Sequence, residues 1–202
     1  MFGKFRKVCL FMSILNIHGY KGTPHNAAYS ALCGFAKENI ITPYIDYDNE
    51  KSEDILNRLL DICSSENIEL IVGTSLGGFF AVLIGIKLKK SLILVNPCLQ
   101  PHKVIPLYGY QGDVNWFIDK LSVFDNIDRK IISCIIGGKD EIIGDHAYTK
   151  KLIGNDRIIV VPEGMHSGAT LELEKNFSQL YSMGNIIRAS LKTCRRSDVP
   201  QI

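Results

Sequence analysis

The sequence has no Cys-x-x-Cys pair, no surplus of either charge and no apolar run long enough to cross a bilayer. Its six cysteines (Cys9, Cys33, Cys63, Cys98, Cys134 and Cys194) lie at least 24 residues apart. That spacing excludes the paired thiolates of a zinc or iron–sulfur site and of thiol exchange. Most of the six read as small buried apolar side chains of a protein kept in a reducing compartment. With 23 Lys+Arg against 21 Asp+Glu the formal net charge is +2, which lacks the clustered basic footprint of a nucleic-acid binder. Gly-x-Gly-x-x-Gly after a strand, Gly-x-x-x-x-Gly-Lys-Ser/Thr and His-Glu-x-x-His are all missing, so dinucleotide, nucleoside-triphosphate and zincin sites have no signature. No cofactor and no metal is expected, and His25, His102 and His146, which stand apart, read as surface residues.

What is present suffices for a full core. The chain has 202 residues, 46% of them hydrophobic, and a domain of this size buries roughly 70% of the surface its unfolded chain exposes. No repeat, low-complexity tract or linker divides it, so residues 1-202 are read as a single domain. Lys4, Arg6 and Lys7 followed by Val8 to Leu15 imitate the basic and apolar parts of a signal peptide, but no small-x-small cleavage site follows. The run is also shorter than the ~20 apolar residues that span a bilayer. The expectation is a cytoplasmic protein that begins with a strand and has no membrane partner.

Short aliphatic runs alternate with longer amphipathic ones, the pattern of βαβ units in an α/β fold with a mainly parallel sheet. Six strands are expected: Val8 to Ile17, Ile40 to Tyr44, Ile68 to Val72, Leu92 to Val95, Ile131 to Ile136 and Arg157 to Val161. Helices are expected at Asn26 to Lys37, at Ser52 to Ser64 with Ser52 as cap, at Leu76 to Leu88, and at about Leu171 to Leu191. Gly77, Ala81 and Gly85 recur every four positions in the third, which marks it as a central helix lying close to a sheet.

The chemistry is carried by Gly73-Thr74-Ser75-Leu76-Gly77-Gly78, placed after one predicted strand and before the central helix. This is the G-x-S-x-G nucleophile elbow in its strand-turn-helix setting. A serine on a strained turn needs neighbours without bulk two positions to each side, and Gly73 and Gly77 supply that. A serine hydroxyl is a weak nucleophile that needs a histidine base oriented by a carboxylate. His166 stands in the glycine-bearing loop Pro162 to Gly168, and Asp140 follows a predicted strand in Gly137-Gly138-Lys139-Asp140-Glu141, with Glu141 and Asp145 as competitors for its role. An oxyanion hole would draw on the backbone N–H of Leu76 and, in the loop His18-Gly19-Tyr20-Lys21-Gly22, that of Tyr20, with His18 orienting the loop.

Five segments resemble the α/β-hydrolases, and within them the short bacterial YqiA-type esterases: Leu15-Asn16-Ile17-His18-Gly19-Tyr20, Val72 to Gly78, Leu94-Val95-Asn96-Pro97, Lys139-Asp140-Glu141 and Glu163-Gly164-Met165-His166. The resemblance implies a three-layer α/β sandwich, a reduced α/β-hydrolase fold whose mainly parallel sheet has about six strands and lacks the first antiparallel strands of larger hydrolases. It also implies Ser75 as nucleophile, Asp140 as orienter and His166 as base in esterase-like acyl hydrolysis. The eleven residues before Met12 read as an extension. Residues 97-130 match poorly and stand where a cap is often inserted. There Tyr108, Tyr110, Trp116 and Phe117, together with His18, are candidates to line a substrate pocket, against the alternative that the aromatics pack the segment onto the body.

The expected function is hydrolysis of a carboxylic ester or acyl thioester, by a monomer or homodimer acting on a small acyl substrate. The alternative is a non-catalytic scaffold of the same fold that binds a small ligand or a protein.

Overall fold

In the central strands successive residues serve opposite faces of one sheet. Leu70, Val72, Ile93, Val95 and Ile135 join one apolar cluster, while Ile71, Leu92, Leu94, Cys134 and Ile136 join another. Strands buried on both faces read as continuous aliphatic runs because each side of the pleat must be apolar. The structure, a computed structural model, describes residues 13–35 and 39–182.

The chain forms β1 (Ser13–Ile17), α1 (Ala27–Phe35), β2 (Asn39–Ile41), α2 (Ser52–Ser65), β3 (Ile68–Thr74), α3 (Leu76–Leu88) and β4 (Ser91–Val95). It continues through α4 (Pro101–Val104), α5 (Val114–Lys120), β5 (Ile132–Gly137), α6 (Ala147–Ile153), β6 (Ile158–Val161) and α7 (Leu173–Ser182), with short 3₁₀ turns between. All pairings are parallel, in the order β2-β1-β3-β4-β5-β6. Helices α1 and α7 cover one face, with Leu32 and Phe177 fully buried there, and α2, α3 and the 101–131 segment cover the other. This is the three-layer α/β sandwich expected from the sequence.

The strand ladder explains where the site lies. After β1 the chain moves outward to β2 and then returns to place β3 on the other side of β1. Connections therefore diverge at the carboxyl ends of β1 and β3, which opens a crevice where ligands of parallel α/β sheets bind. Ile17 pairs with Gly73 and Thr74 with Val95, so the loops after β1, β3 and β4 leave the sheet at one level.

Element ends moved in physically legible ways. The second strand shrinks to three residues, Asn39–Ile41, on the sheet edge. Lys51, not Ser52, precedes α2 in extended backbone, and the Ser52 hydroxyl instead lies 3.4 Å from that of Tyr110. Val8 to Met12, Ala36 and Lys37, and everything after Ser182, including most of the expected last helix, lie outside the described residues. Cys63, Cys98 and Cys134 are buried, whereas Cys33 is exposed; Cys9 and Cys194 are not among the described residues.

Residues 97–131 form α4, α5 and three 3₁₀ turns, of which Leu121–Asn126 packs on α3. Phe117 and Phe124 are fully buried against Phe79, with ring centroids 5.3 and 5.1 Å from it. Among the described residues no helix is long and apolar enough to cross a membrane.

Candidate active site

Ser75 occupies the turn between β3 and α3 with φ 51° and ψ −120°, a backbone conformation that a non-glycine residue holds only under constraint from its surroundings. Three backbone hydrogen bonds supply the constraint. Its N–H donates to the Val95 carbonyl, and its own carbonyl accepts from the Gly78 and Cys98 N–H groups. A Cβ on Gly77 would fall 2.3 Å from the Ile17 carbonyl oxygen, and one on Gly73 would fall 2.7 Å from the Gly78 Cα. Both glycines are therefore steric requirements of the turn, as its spacing implies.

The His166 ring stands across from Ser75, its Nε2 3.0 Å from the serine Oγ. Its Nδ1 lies 3.0 Å from each carboxylate oxygen of Asp140. Burial pushes the Asp140 carboxyl up, but hydrogen bonds from His146, from His166 and from the Ile143 N–H together hold it well below the usual carboxylate range. Asp140 is therefore ionised and can only accept. The proton on His166 belongs on Nδ1, leaving Nε2 as the acceptor for the Ser75 hydroxyl.

The loop that carries His166 is tied to both neighbouring strand ends. Asn96, fully buried just after β4, donates from Nδ2 to the carbonyls of Met165 (2.8 Å) and His166 (3.0 Å) and accepts the Gly137 N–H at Oδ1 (2.7 Å). Glu141 accepts the His166 backbone N–H at 2.9 Å. It therefore does not compete with Asp140 for the imidazole. Asp145 accepts the Ala147 N–H at the start of α6, which is a helix-end contact. The sequence pattern assigns no role to Asn96, since nothing in its spacing reveals that one amide spans two strands and a loop.

His146 overturns the expectation of a surface histidine. It is 2% exposed and its Nε2 lies 2.9 Å from the Asp140 Oδ2. His25 is exposed and stacked on Tyr29, as a surface histidine would be, and His102 is half-buried, its Nδ1 unpartnered among the described residues.

On the other side of Ser75 lies the loop after β1. A Cβ built on Gly19 would fall 2.8 Å from that of Ser75, which measures how closely this backbone approaches. The Tyr20 N–H belongs to this loop, and the Leu76 N–H is at the first residue of α3, where the helix dipole favours negative charge. His18 is 1% exposed, and both ring nitrogens are engaged: Nδ1 donates to the Gly19 carbonyl (2.8 Å) and Nε2 accepts the Ile45 N–H (3.0 Å). Burial holds this ring below the ordinary histidine range. His18 therefore holds the loop and is not exposed to a pocket, which corrects its place among the pocket candidates.

The four aromatic candidates separate. Phe117 is buried in the core and Tyr108 is exposed at the end of a 3₁₀ turn, its carbonyl accepting from Lys21 Nζ. Tyr110 and Trp116 line a cleft of about 370 Å³ together with Tyr47, Glu53 and Asp113, and Ser75 is not among its lining residues. Trp116 stacks on Phe80 with centroids 5.7 Å apart and donates its Nε1–H to Glu53 at 2.6 Å. Packing of the segment onto the body thus accounts for Phe117 and for one face of Trp116. Among the described residues no group of three or more His, Cys, Asp and Glu side chains is arranged to hold a metal ion.

Comparison with known proteins agrees with this architecture. The model of an uncharacterised protein family, UPF0227, matches residues 13–122. Est1E from Butyrivibrio proteoclasticus superimposes with a TM-score of 0.63 at 19% identity, covering 87% of this chain and 88% of that one. The esterase domain of a Rhodothermus marinus protein gives 0.61 at 11% identity, covering 90% and 88%. A Xanthomonas campestris protein assigned to the hydrolases of the α/β superfamily gives 0.60 at 20% identity, covering 86% and 98%. These likenesses establish a shared fold. A search of curated proteins finds no match.

Proposed function

The chain belongs to the uncharacterised family UPF0227, on the fold of the α/β hydrolases, and we propose that it is a serine hydrolase cleaving a carboxylic ester or acyl thioester. The observation that carries the reading is the unbroken hydrogen-bonded line from Ser75 through His166 to Asp140, each step at 3.0 Å. It stands at the crevice where ligands of such sheets bind.

In this reading the Ser75 Oγ attacks the acyl carbonyl carbon while His166 Nε2 takes the hydroxyl proton. Asp140 stabilises the imidazolium that results. The carbonyl oxygen becomes an oxyanion within reach of the Leu76 and Tyr20 N–H groups, whose dipoles are already oriented by α3 and by the His18-braced loop. Collapse expels the alcohol or thiol, which receives the proton from His166, and leaves an ester on Ser75. Water, deprotonated by the same imidazole, then attacks that ester and releases the acid. Every step is a proton or acyl transfer among these groups, so the chemistry draws on no cofactor. Ester and thioester substrates use the same parts.

The direct test is intact-mass labelling with a fluorophosphonate probe, on the wild type and on Ser75→Ala, His166→Ala and Asp140→Asn. One adduct on the wild type, lost in Ser75→Ala and much slowed in the other two, is the expected result. A folded wild type without an adduct would overturn the reading and favour a scaffold that binds a ligand without turning it over.

A further inference from the structure

We propose that His146 is a positioning residue of this site, a second imidazole that fixes the Asp140 carboxylate so that His166 meets it in one orientation; the proposal rests on the serine-hydrolase reading.

The argument begins with what His146 costs. Its backbone sits at φ 54°, a left-handed conformation at the start of α6 that a side chain rarely adopts. Among the described residues its buried Nδ1 has no hydrogen-bond partner, which is unfavourable for a polar atom removed from water. Strain and an unmet nitrogen at one residue persist only when something else over-determines the position. Among the described residues the one side-chain partner of this ring is Asp140, through Nε2 at 2.9 Å, with both side chains essentially inaccessible to solvent.

The lone-pair inventory of Asp140 shows what the contact does. Oδ1 accepts the Ile142 and Ile143 N–H groups, each at 2.9 Å, which fix that side of the carboxylate through the backbone, and it also lies 3.0 Å from the His166 Nδ1. Among the described residues Oδ2 has no backbone donor; its partners are His146 Nε2 and His166 Nδ1. Because the carboxylate only accepts, His146 Nε2 must carry a proton toward it. Without that donor the Oδ2 side would be held by the reacting imidazole alone. The carboxylate could then turn about its Cβ–Cγ bond, and His166 would lose the geometry that aims Nε2 at Ser75. Small misplacements of this kind are expensive in rate, because the reacting groups must already be aligned.

The test uses the full chain with His146→Leu, which keeps bulk without a donor, and His146→Gln, whose amide nitrogen can stand where Nε2 stands. Fluorophosphonate labelling, kcat and KM on a p-nitrophenyl ester, thermal unfolding, and the downfield imidazole N–H proton resonance of His166 are read for each. The Leu variant should label about 10- to 100-fold more slowly, with kcat lowered, KM unchanged and the His166 resonance shifted or broadened. The Gln variant should recover most of the rate and the resonance. A folded Leu variant that labels at the wild-type rate, with the resonance in place, would overturn the proposal while leaving the hydrolase reading intact. If the Leu variant does not fold, His146→Gln is compared with His146→Asn, whose shorter amide cannot reach Oδ2. Faster labelling by Gln than by Asn supports the role, and equal rates overturn it. A wild type that takes no label overturns the hydrolase reading, and with it this one.

Discussion

The two ends of the first turns of α3 are built from opposite materials. At Ser75 to Gly78 the helix begins on a strained serine, with glycines pressed against the Ile17 carbonyl and against Pro97. One turn further on, Phe79 and Phe80 are fully buried in a cluster of rings with Trp116, Phe117 and Phe124. Hydrophobic burial is non-directional and rewards the second region whatever its detailed geometry, whereas the first depends on a few atoms being fixed against their own preference. Substitutions in the two regions should therefore separate rate from stability.

The largest effect should come at the strained end. Ser75→Ala should lower ester hydrolysis on the order of 10⁴-fold or more, and Asp140→Asn should approach the same loss, while the folded state persists. Ser75→Gly sharpens the comparison, because glycine tolerates positive φ. It should be as inactive as the alanine variant yet more stable by about 0.5–1 kcal/mol in urea unfolding. A glycine variant less stable than the alanine one would mean that the turn stores no strain.

Phe117→Ala should do the reverse. A fully buried Phe with neighbouring rings at 5.3 Å (Phe79, Trp116) and 5.9 Å (Tyr110) leaves a cavity on truncation, and the expected loss is about 3–5 kcal/mol of stability. Activity per folded molecule, measured by active-site titration well below the unfolding midpoint, should change little. If it fell as far as in Asp140→Asn, the ring cluster would be coupled to the site and the division of labour along α3 would fail.

Acid exposes the contribution of Asp140. Its carboxyl is held below the usual range in the folded chain, against about 3.9 when unfolded. A group with a depressed folded value binds its proton more readily in the unfolded state. Its stabilisation is therefore complete above about pH 4 and is lost as the pH falls below that toward the folded value. Wild type should exceed Asp140→Asn by about 2 kcal/mol near neutral pH, as for hydrogen bonds to a charged group, with the gap closing as pH falls below 4. A gap independent of pH would place the effect in packing.

The same division governs what could be read from the sequence. The six strands, the central helix and the Ser75, Asp140 and His166 constellation were legible because each lies in a local pattern: aliphatic runs, a glycine-spaced elbow, carboxylate and histidine just past strand ends. Val72 to Gly78 alone states both the turn and its steric reason. Asn96, Glu141 and His146 were not legible in this way. Asn96 acts across β5 and a loop 69 and 70 residues away, and His146 reaches Asp140 only because its own backbone turns left-handed. Neither the amide's reach nor that turn leaves a periodicity or a motif. The same holds for Ser52, whose hydroxyl faces Tyr110 through a tertiary contact that overrides its helix-capping preference.

Trp116 stands between the two kinds of region and gives the finest test of them. Its ring belongs to the aromatic cluster through Phe80, while its Nε1–H reaches outward to Glu53, itself bridged to Lys120 at 3.2 Å. The Glu53 side chain is half exposed, so this polar end should contribute little to stability, as surface ion pairs do. Trp116→Phe keeps a ring against Phe80 and removes the Nε1–H with part of the fused ring, so its stability cost should stay at about 1 kcal/mol. Any change in preference for acyl chain length must then come from the Tyr110–Trp116 cleft, because little else has altered. A shift in that preference without a loss of stability would extend the substrate's reach to this cleft. An unchanged preference would leave Trp116 wholly on the packing side of the comparison.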